Sequence, residues 1–292
     1  MPRIALVTDS TANLPAEWTR EHDLDVVPVY IHFGNETYRD GMDMDTATFY
    51  RRLETSPSLP KTSQPSVGDF LDVYRRLAGE GRAIVSIHLA RELSGTIASA
   101  EAARSSLLAE WPDAPPIHVV DCRGVSAAMA LVVSAARRAI DAGRTADEVA
   151  QIARTLGSRT TILFTVDTLT YLQKGGRIGG AAALVGSLLQ VRPVLNIQEG
   201  RVDVVERVRT TKRARQRLLE IVSERVGTRP MRVAVAHAAV PEEAETTRRC
   251  LSERFDCREL FVVEFSPVVG AHCGPGTLGV AFYPADEPPA DA

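Results

Sequence analysis

Four short polar segments carry the groups most able to do chemistry. Glu92-Leu93-Ser94-Gly95-Thr96 follows the apolar run AIVSIHL (83–89) and opens a helix from Ile97. Backbone N–H groups at a helix amino end are unpaired and carry positive potential. A serine hydroxyl beside a glycine that admits close approach makes this either an anion-binding end or an ordinary serine cap. The loop has neither G-x-G-x-x-G nor G-x-x-x-x-G-K-[ST], which argues against dinucleotide and Walker-type phosphate binding. Lys61-Thr62-Ser63-Gln64-Pro65-Ser66 precedes a helix whose cap needs only Ser66. Thr62, Ser63 and Gln64 are surplus to capping and form either a ligand loop or a solvated one. Thr8-Asp9-Ser10-Thr11-Ala12-Asn13 ends the first predicted strand, where open α/β sheets bind ligands. Ser10 or Asn13 could equally cap the next helix, with Asp9 fixing the turn. The fourth segment, Gly270–Thr277, holds His272 among glycines in a predicted loop between two strands. An imidazole with an ordinary pKa of about 6.5 can hydrogen-bond a carboxylate or carry charge.

Ser94 and His272 also suggest an esterase or acyltransferase pair. The chain lacks G-x-S-x-G, and no acidic residue to orient His272 is identifiable. Two further segments are basic. Leu172–Gly180 brackets Lys174 and Arg177 with paired glycines, as an anion cradle or a sharp exposed turn. Residues 201–215 hold Arg201, Arg207, Arg209, Lys212, Arg213 and Arg215 against Asp203 and Glu206, which is either a docking face for an acidic partner or a solvated surface.

These segments need elements to position them. Runs at 4–9, 25–33, 83–89, 117–122 and 160–167 read as strands covered on both faces. Between them lie helices with Ser66…Asp69 and Thr145…Glu148 capping boxes. Strand–helix alternation predicts a mostly parallel sheet with helices on both sides. After residue 168 the texture changes to a hairpin turning at Glu199-Gly200, helices at 211–226 and from Pro241, and strands at 231–238, 260–267 and 278–284. The expected fold is therefore α/β in two domains: a parallel-sheet α/β/α domain over 1–167 and a largely antiparallel α+β domain over 168–285, with a polar tail at 286–292.

At 292 residues, 45% hydrophobic and 24% charged, the chain has the profile of a globular protein. A net charge of −3 argues against nucleic-acid binding. No apolar stretch has signal-peptide or membrane-spanning length, so a cytoplasmic protein without integral membrane association is expected. Cys122, Cys250, Cys257 and Cys273 show no metal-ligand spacing, so reduced thiols and no metal site are expected.

Taken in order, TDSTANLP, KTSQPS, LSGT, VVDC, LTYLQKGGRIGGAAALVGSLLQVRPVL, VRTTKRA and HCGPGTLGVAF resemble the DegV family, and the set spans residues 4 to 284. The resemblance implies a two-domain protein that buries one long-chain fatty acid in a tunnel, needs no cofactor and has no chemistry of its own. It further implies service as the B subunit of a bacterial fatty acid kinase, presenting the acyl carboxylate to a separate ATP-using A subunit. That subunit makes acyl-phosphate for phospholipid synthesis, and contact with a membrane would be only transient, for lipid exchange. The family's carboxylate ligands fall on Thr62, Ser94 and His272, beside the Gly95 N–H, and Ser10, Ser63 and Gln64 stand as an additional ligand loop. Arg177 and Arg209 fall on positions that contact the kinase subunit. Cys122 stands where many relatives have serine, so no role carries over and an effect on the tunnel wall is expected. The Ala/Leu/Val-rich stretch 179–189 is the expected wall of that tunnel.

Overall fold

The computed structural model describes residues 3–185 and 191–285. Its strands are β1 (Ile4–Asp9), β2 (Leu24–Val27), β3 (Tyr30–Phe33), β4 (Glu36–Arg39), β5 (Lys61–Ser63), β6 (Ala83–His88), β7 (Ile117–Asp121), β8 (Thr161–Thr165), β9 (Arg192–Gln198), β10 (Arg201–Val208), β11 (Met231–His237), β12 (Cys257–Glu264) and β13 (Leu278–Pro284). The helices are α1 (Ala16–Glu21), α2 (Thr46–Thr55), α3 (Val67–Gly79), α4 (Thr96–Glu110), α5 (Ala127–Asp141), α6 (Ala146–Arg159), α7 (Thr170–Lys174), α8 (Thr211–Val226), α9 (Pro241–Arg254) and α10 (Pro267–Cys273).

A parallel sheet of order β2-β1-β6-β7 forms the first layer system. Side chains alternate across it as the strand period requires. Ala5, Val7 and Ile84 pack with Phe70, Leu77, Ala100 and Ala103 of α3 and α4. Leu6, Val85 and Ile87 face the opposite side, in one cluster with Met129 and Val132 of α5 and Val149 and Ala153 of α6. Both predicted capping boxes form, Ser66 with Asp69 and Thr145 with Glu148.

The second sheet has order β10-β9-β8-β13-β11-β12 and is antiparallel except for the β11–β12 pair. The fold is thus the expected mixture of a parallel and a largely antiparallel sheet. Helix α5 lies between the two sheets, packing on β1 and β6 on one side and on β8, β11 and β13 on the other. Its sequence AAMALVVSAARRAID is apolar almost all round, as a helix covered on two sides must be.

Four elements differ from the sequence reading. Strand β8 pairs with β13 and β9, so by sheet membership the first unit ends between α6 and β8, near residue 160 and not after 167. A short apolar run looks the same in a buried parallel or antiparallel strand. The run 25–33 is two strands in different sheets, broken at Pro28, which has no N–H to donate to a ladder. Strand β3 pairs with β4 and β5 in a separate antiparallel sheet, so Lys61–Ser63 is strand and not loop. His272 sits on helix α10, not in a loop. The tail 286–292 lies outside the described residues.

The hairpin turn forms where expected, with Glu199 and Gly200 both at positive φ (48° and 75°), as a two-residue type I′ turn requires. It docks on the first unit. A Cβ at Gly200 would stand 3.1 Å from the Ala90 side chain, and Arg201 and Glu199 pair with Glu92 and Arg123 at 2.7 and 2.8 Å.

Candidate functional site

A cavity opens where the two sheets and the small β3–β5 sheet meet. Thr11, Leu89 and Ser126 line it from just past the carboxyl ends of β1, β6 and β7, the edge at which open α/β sheets bind ligands. Ile162, Phe164, Ile197 and Val202 close it from the six-stranded sheet, and Phe265, Val268 and Val269 from the approach to α10 and its first turn. Most of the lining is therefore aliphatic or aromatic. Apart from Thr11 and Ser126, the polar groups of the lining are Thr62, Ser63, Gln64, Ser94, Arg177 and His272.

His272 organises this group. Its Nε2 lies 2.8 Å from Thr62 Oγ1, while its Nδ1 is buried without a partner among the described residues. Burial first, and the Arg177 guanidinium second, push its pKa down from 6.5 to about 4, so the imidazole is neutral at pH 7. Two glycines make room. A Cβ at Gly175 would stand 2.3 Å from His272 Nδ1, and one at Gly274 (φ +75°) 2.2 Å from the Tyr171 ring.

Ser94 Oγ lies 2.9 Å from Thr96 Oγ1 and accepts from Thr96 N at 3.3 Å. It thus serves the start of α4 and faces the cavity as well. Gly95 is the cap residue of α4, and its missing side chain lets Gln64 pack 3.1 Å from where a Cβ would be. Arg177 joins the two arms of the site, donating from Nε to Leu93 O at 3.0 Å and from Nη1 to Gly175 O at 2.7 Å. Ser63 is also engaged, at 2.8 Å from His32 Nε2.

The structure separates several residues that sequence reasoning grouped. Ser10 does not line the cavity; its hydroxyl accepts from Val29 N at 3.1 Å, and the cap of the short turn Ser10–Ala12 is Asp9. Arg209 is exposed at the end of β10, away from the cavity lining. Within the basic segment, Arg201, Arg213 and Arg215 are paired with Glu92, Glu220 and Glu243, whereas Arg207, Arg209 and Lys212 make no ion pair among the described residues. Cys122 does not itself line the cavity; it is buried, with its thiol 3.3 Å from Gly124 O and its backbone against Gly157, in one apolar cluster with the lining residues Leu89, Val125 and Val268. Of the proposed wall 179–189, Ala181 and Leu184 are buried against Phe164, Leu172 and Val202, and residues 186–189 lie outside the described chain. A Ser94–His272 catalytic pair does not form: each side chain is bonded to a different threonine, and no acid meets His272 Nδ1.

Other contributors were missed. Asp9 and His88, both fully buried, are joined at 3.0 Å, and His88 Nε2 lies 2.6 Å from Ser86 Oγ, which accepts from Tyr74 OH at 2.8 Å. Asp9 also accepts from Thr11 N and Leu89 N, holding two lining residues in place. Ser126, held at φ 55°, presents a hydroxyl with no partner among the described residues. Asp40 is buried, and burial raises its pKa to about 6. Ser10, Ser266 and the Val268 amide lie close enough to oppose that rise, but none makes a well-formed hydrogen bond with either carboxylate oxygen. A sequence signal existed only for Asp9, which ends a strand in a polar motif. No described helix is long and apolar enough to cross a membrane.

The model of the family described as "Uncharacterised protein, DegV family" matches residues 3–285. A DegV domain-containing protein of Streptomyces coelicolor is 39% identical over 95% of this chain and 97% of its own. The structure titled "Fatty Acid Binding of a DegV family Protein from Thermus thermophilus" is 33% identical, with a TM-score of 0.89 over 97% of this chain and 99% of that one. That of Bacillus subtilis DegV, described as a fatty acid binding protein, is 34% identical, with a TM-score of 0.87 over 97% of this chain and all of that one (100%). The chain belongs to the DegV family.

Proposed function

We propose that this protein binds one long-chain fatty acid, with the acyl chain in the apolar cavity and the carboxylate at Thr62, Ser94, the Gly95 N–H and His272. The observation that carries the reading is the Thr62–His272 contact of 2.8 Å at the polar end of an otherwise apolar cavity. Two hydroxyls, an amide and an imidazole give a desolvated carboxylate the two or three donors it needs. Burying a sixteen-carbon chain is worth on the order of 10 kcal/mol before binding costs, at about 0.8 kcal/mol per CH₂. The fatty-acid binding of the Thermus and Bacillus relatives supports the same ligand class.

The protein is then a non-catalytic carrier, working in the cytoplasm. It hands its bound carboxylate to an ATP-dependent fatty acid kinase subunit for acyl-phosphate formation and phospholipid synthesis. The exposed cations around Arg209 are the docking face for that subunit, and Arg177, at the cavity, is the second contact position.

Displacement of a fluorescent polyene fatty acid from delipidated protein tests the carrier reading. Palmitate should displace it with one-to-one stoichiometry, and a short dicarboxylate should not. Equal displacement by both would mean that the cavity selects only an anion.

A further inference from the structure

We propose that Ser126 and Thr11 form a second hydrogen-bonding subsite in the cavity, which takes a hydroxyl group carried on the acyl chain. The ligand class is then the hydroxylated long-chain acids. The inference rests on the reading that the cavity holds an acyl chain.

The subsite is built from elements that the head-group site does not use. Thr11 stands in the turn after β1, and Ser126 immediately precedes α5. The Ser126 amide donates to Thr11 O at 2.9 Å, which fixes the two residues together. Both line the cavity, whose lining outside these two and the head-group residues is hydrocarbon and the Cys273 thiol. Among the described residues, no hydrogen bond joins either side chain to Thr62, Ser94, Arg177 or His272.

Ser126 is only 1% exposed. A serine in front of a helix ordinarily accepts from an amide of the first turn. The Ser126 hydroxyl does not, and it meets no other partner among the described residues. The first-turn amides of Ala127, Ala128 and Met129, all on buried residues, likewise meet no acceptor among the described residues. Buried donors left without an acceptor destabilise a fold. The backbone adds to this, because φ 55° and ψ −128° at Ser126 suit glycine and strain other residues. Glycine would hold the turn with less strain. What serine adds there is a hydroxyl beside the cavity.

The chemistry of the pair selects the group it takes. Free donors at the positive end of a 15-residue helix, with no acid in its first turn, favour an oxygen acceptor. Thr11 narrows the choice further. Its hydroxyl donates to Asp9 and so offers lone pairs to a neighbour. A ligand hydroxyl can accept from Ser126 and donate to Thr11. A keto oxygen can only accept, and a methylene can do neither.

The test is calorimetric titration of delipidated full-length protein with stearate and with hydroxystearates that differ in the position of the hydroxyl. One positional isomer should bind wild type at least as tightly as stearate. Ser126→Ala should weaken that isomer about three- to tenfold while leaving stearate within about twofold. Ser126→Gly, which suits the backbone, should do the same and keeps the test decisive if the alanine variant fails to fold. Wild-type protein that bound every hydroxystearate far more weakly than stearate would overturn the proposal, with Ser126 satisfied by an ordered water only. Equal losses for stearate and the hydroxy acid in both variants would overturn it too, making Ser126 plain wall or part of the carboxylate site. Wild-type protein that took up neither stearate nor any hydroxystearate would instead contradict the fatty-acid reading itself, and this proposal with it.

Discussion

His272 Nε2 stands 2.8 Å from Thr62 Oγ1, a contact between residues 210 positions apart. It joins α10, beside the six-stranded sheet, to β5 of the small sheet. The polar end of the cavity exists only because the chain closes that gap. With the imidazole neutral, Thr62 and His272 share one hydrogen bond, which leaves one donor between them for a ligand oxygen: the Thr62 hydroxyl if Nε2–H donates to it, or the His272 Nδ1–H if the hydroxyl donates to Nε2.

Removing a side chain of the carboxylate site should weaken the ligand more than the fold. His272→Ala and Ser94→Ala are each expected to raise the Kd for palmitate roughly 10- to 100-fold, the range for losing a hydrogen bond to a charged group. They should slow acyl-phosphate formation in a reconstituted kinase assay as well. Unchanged affinity and turnover in both variants would remove these residues from the site.

Gly175 is required by contact and not by backbone conformation. Its φ is −76°, open to any residue, yet a Cβ would stand 2.3 Å from His272 Nδ1. Gly175→Ala should displace the imidazole and lower palmitate affinity about as much as His272→Ala, with a melting temperature close to wild type. Wild-type affinity in Gly175→Ala would show that the ring position is immaterial to binding.

Asp40 and His272 give stability opposite dependences on pH. The Asp40 carboxyl is raised from 3.8 to about 6, so the folded state holds its proton more tightly than the unfolded one. Its contribution is full below about pH 3.8 and is lost as pH rises through about 6, a change of about 3 kcal/mol. Asp40→Asn should therefore be more stable than wild type at pH 8, and the gain should vanish towards pH 4 in thermal melts. His272 is lowered from 6.5 to about 4, so its contribution is present above 6.5 and is lost as pH falls towards 4. His272→Gln should flatten that acid limb. A stability gap between Asp40→Asn and wild type that did not change with pH would contradict this account.

Arg209 is exposed, lies outside the cavity lining and has no ion-pair partner among the described residues. Arg209→Ala should leave palmitate affinity within about twofold, since surface substitutions away from a site do little. It should nevertheless lower the rate of kinase-dependent phosphorylation. Loss of the ligand in this variant would refute a docking role.

Much of the fold was legible because caps, turns and apolar runs act locally. The Ser66 and Thr145 capping boxes and the Glu199-Gly200 turn formed at the residues that announced them. The sequence places β8 with the parallel sheet, whereas it pairs with β13 and β9, because TILFT states burial but not its partners. Thr62 stands out as surplus to capping and His272 as an imidazole among glycines, Ser94 reads equally as a helix cap, and all three line the cavity. Arg177 was harder to place. Its role depends on reaching Leu93, 84 positions away, and only the folded chain supplies that distance. The Asp9–His88 pair was invisible for the same reason, since His88 reads as one more residue of an apolar strand.

The central claim is that the cavity holds one long-chain fatty acid. Protein purified under native conditions, then denatured and extracted into organic solvent, answers it by quantitative mass spectrometry. The account predicts close to one equivalent of C16–C18 acid per chain, falling sharply in His272→Ala prepared in parallel. Wild-type protein from lipid-replete cells that released no fatty acid, and took up none when titrated with palmitate, would contradict it.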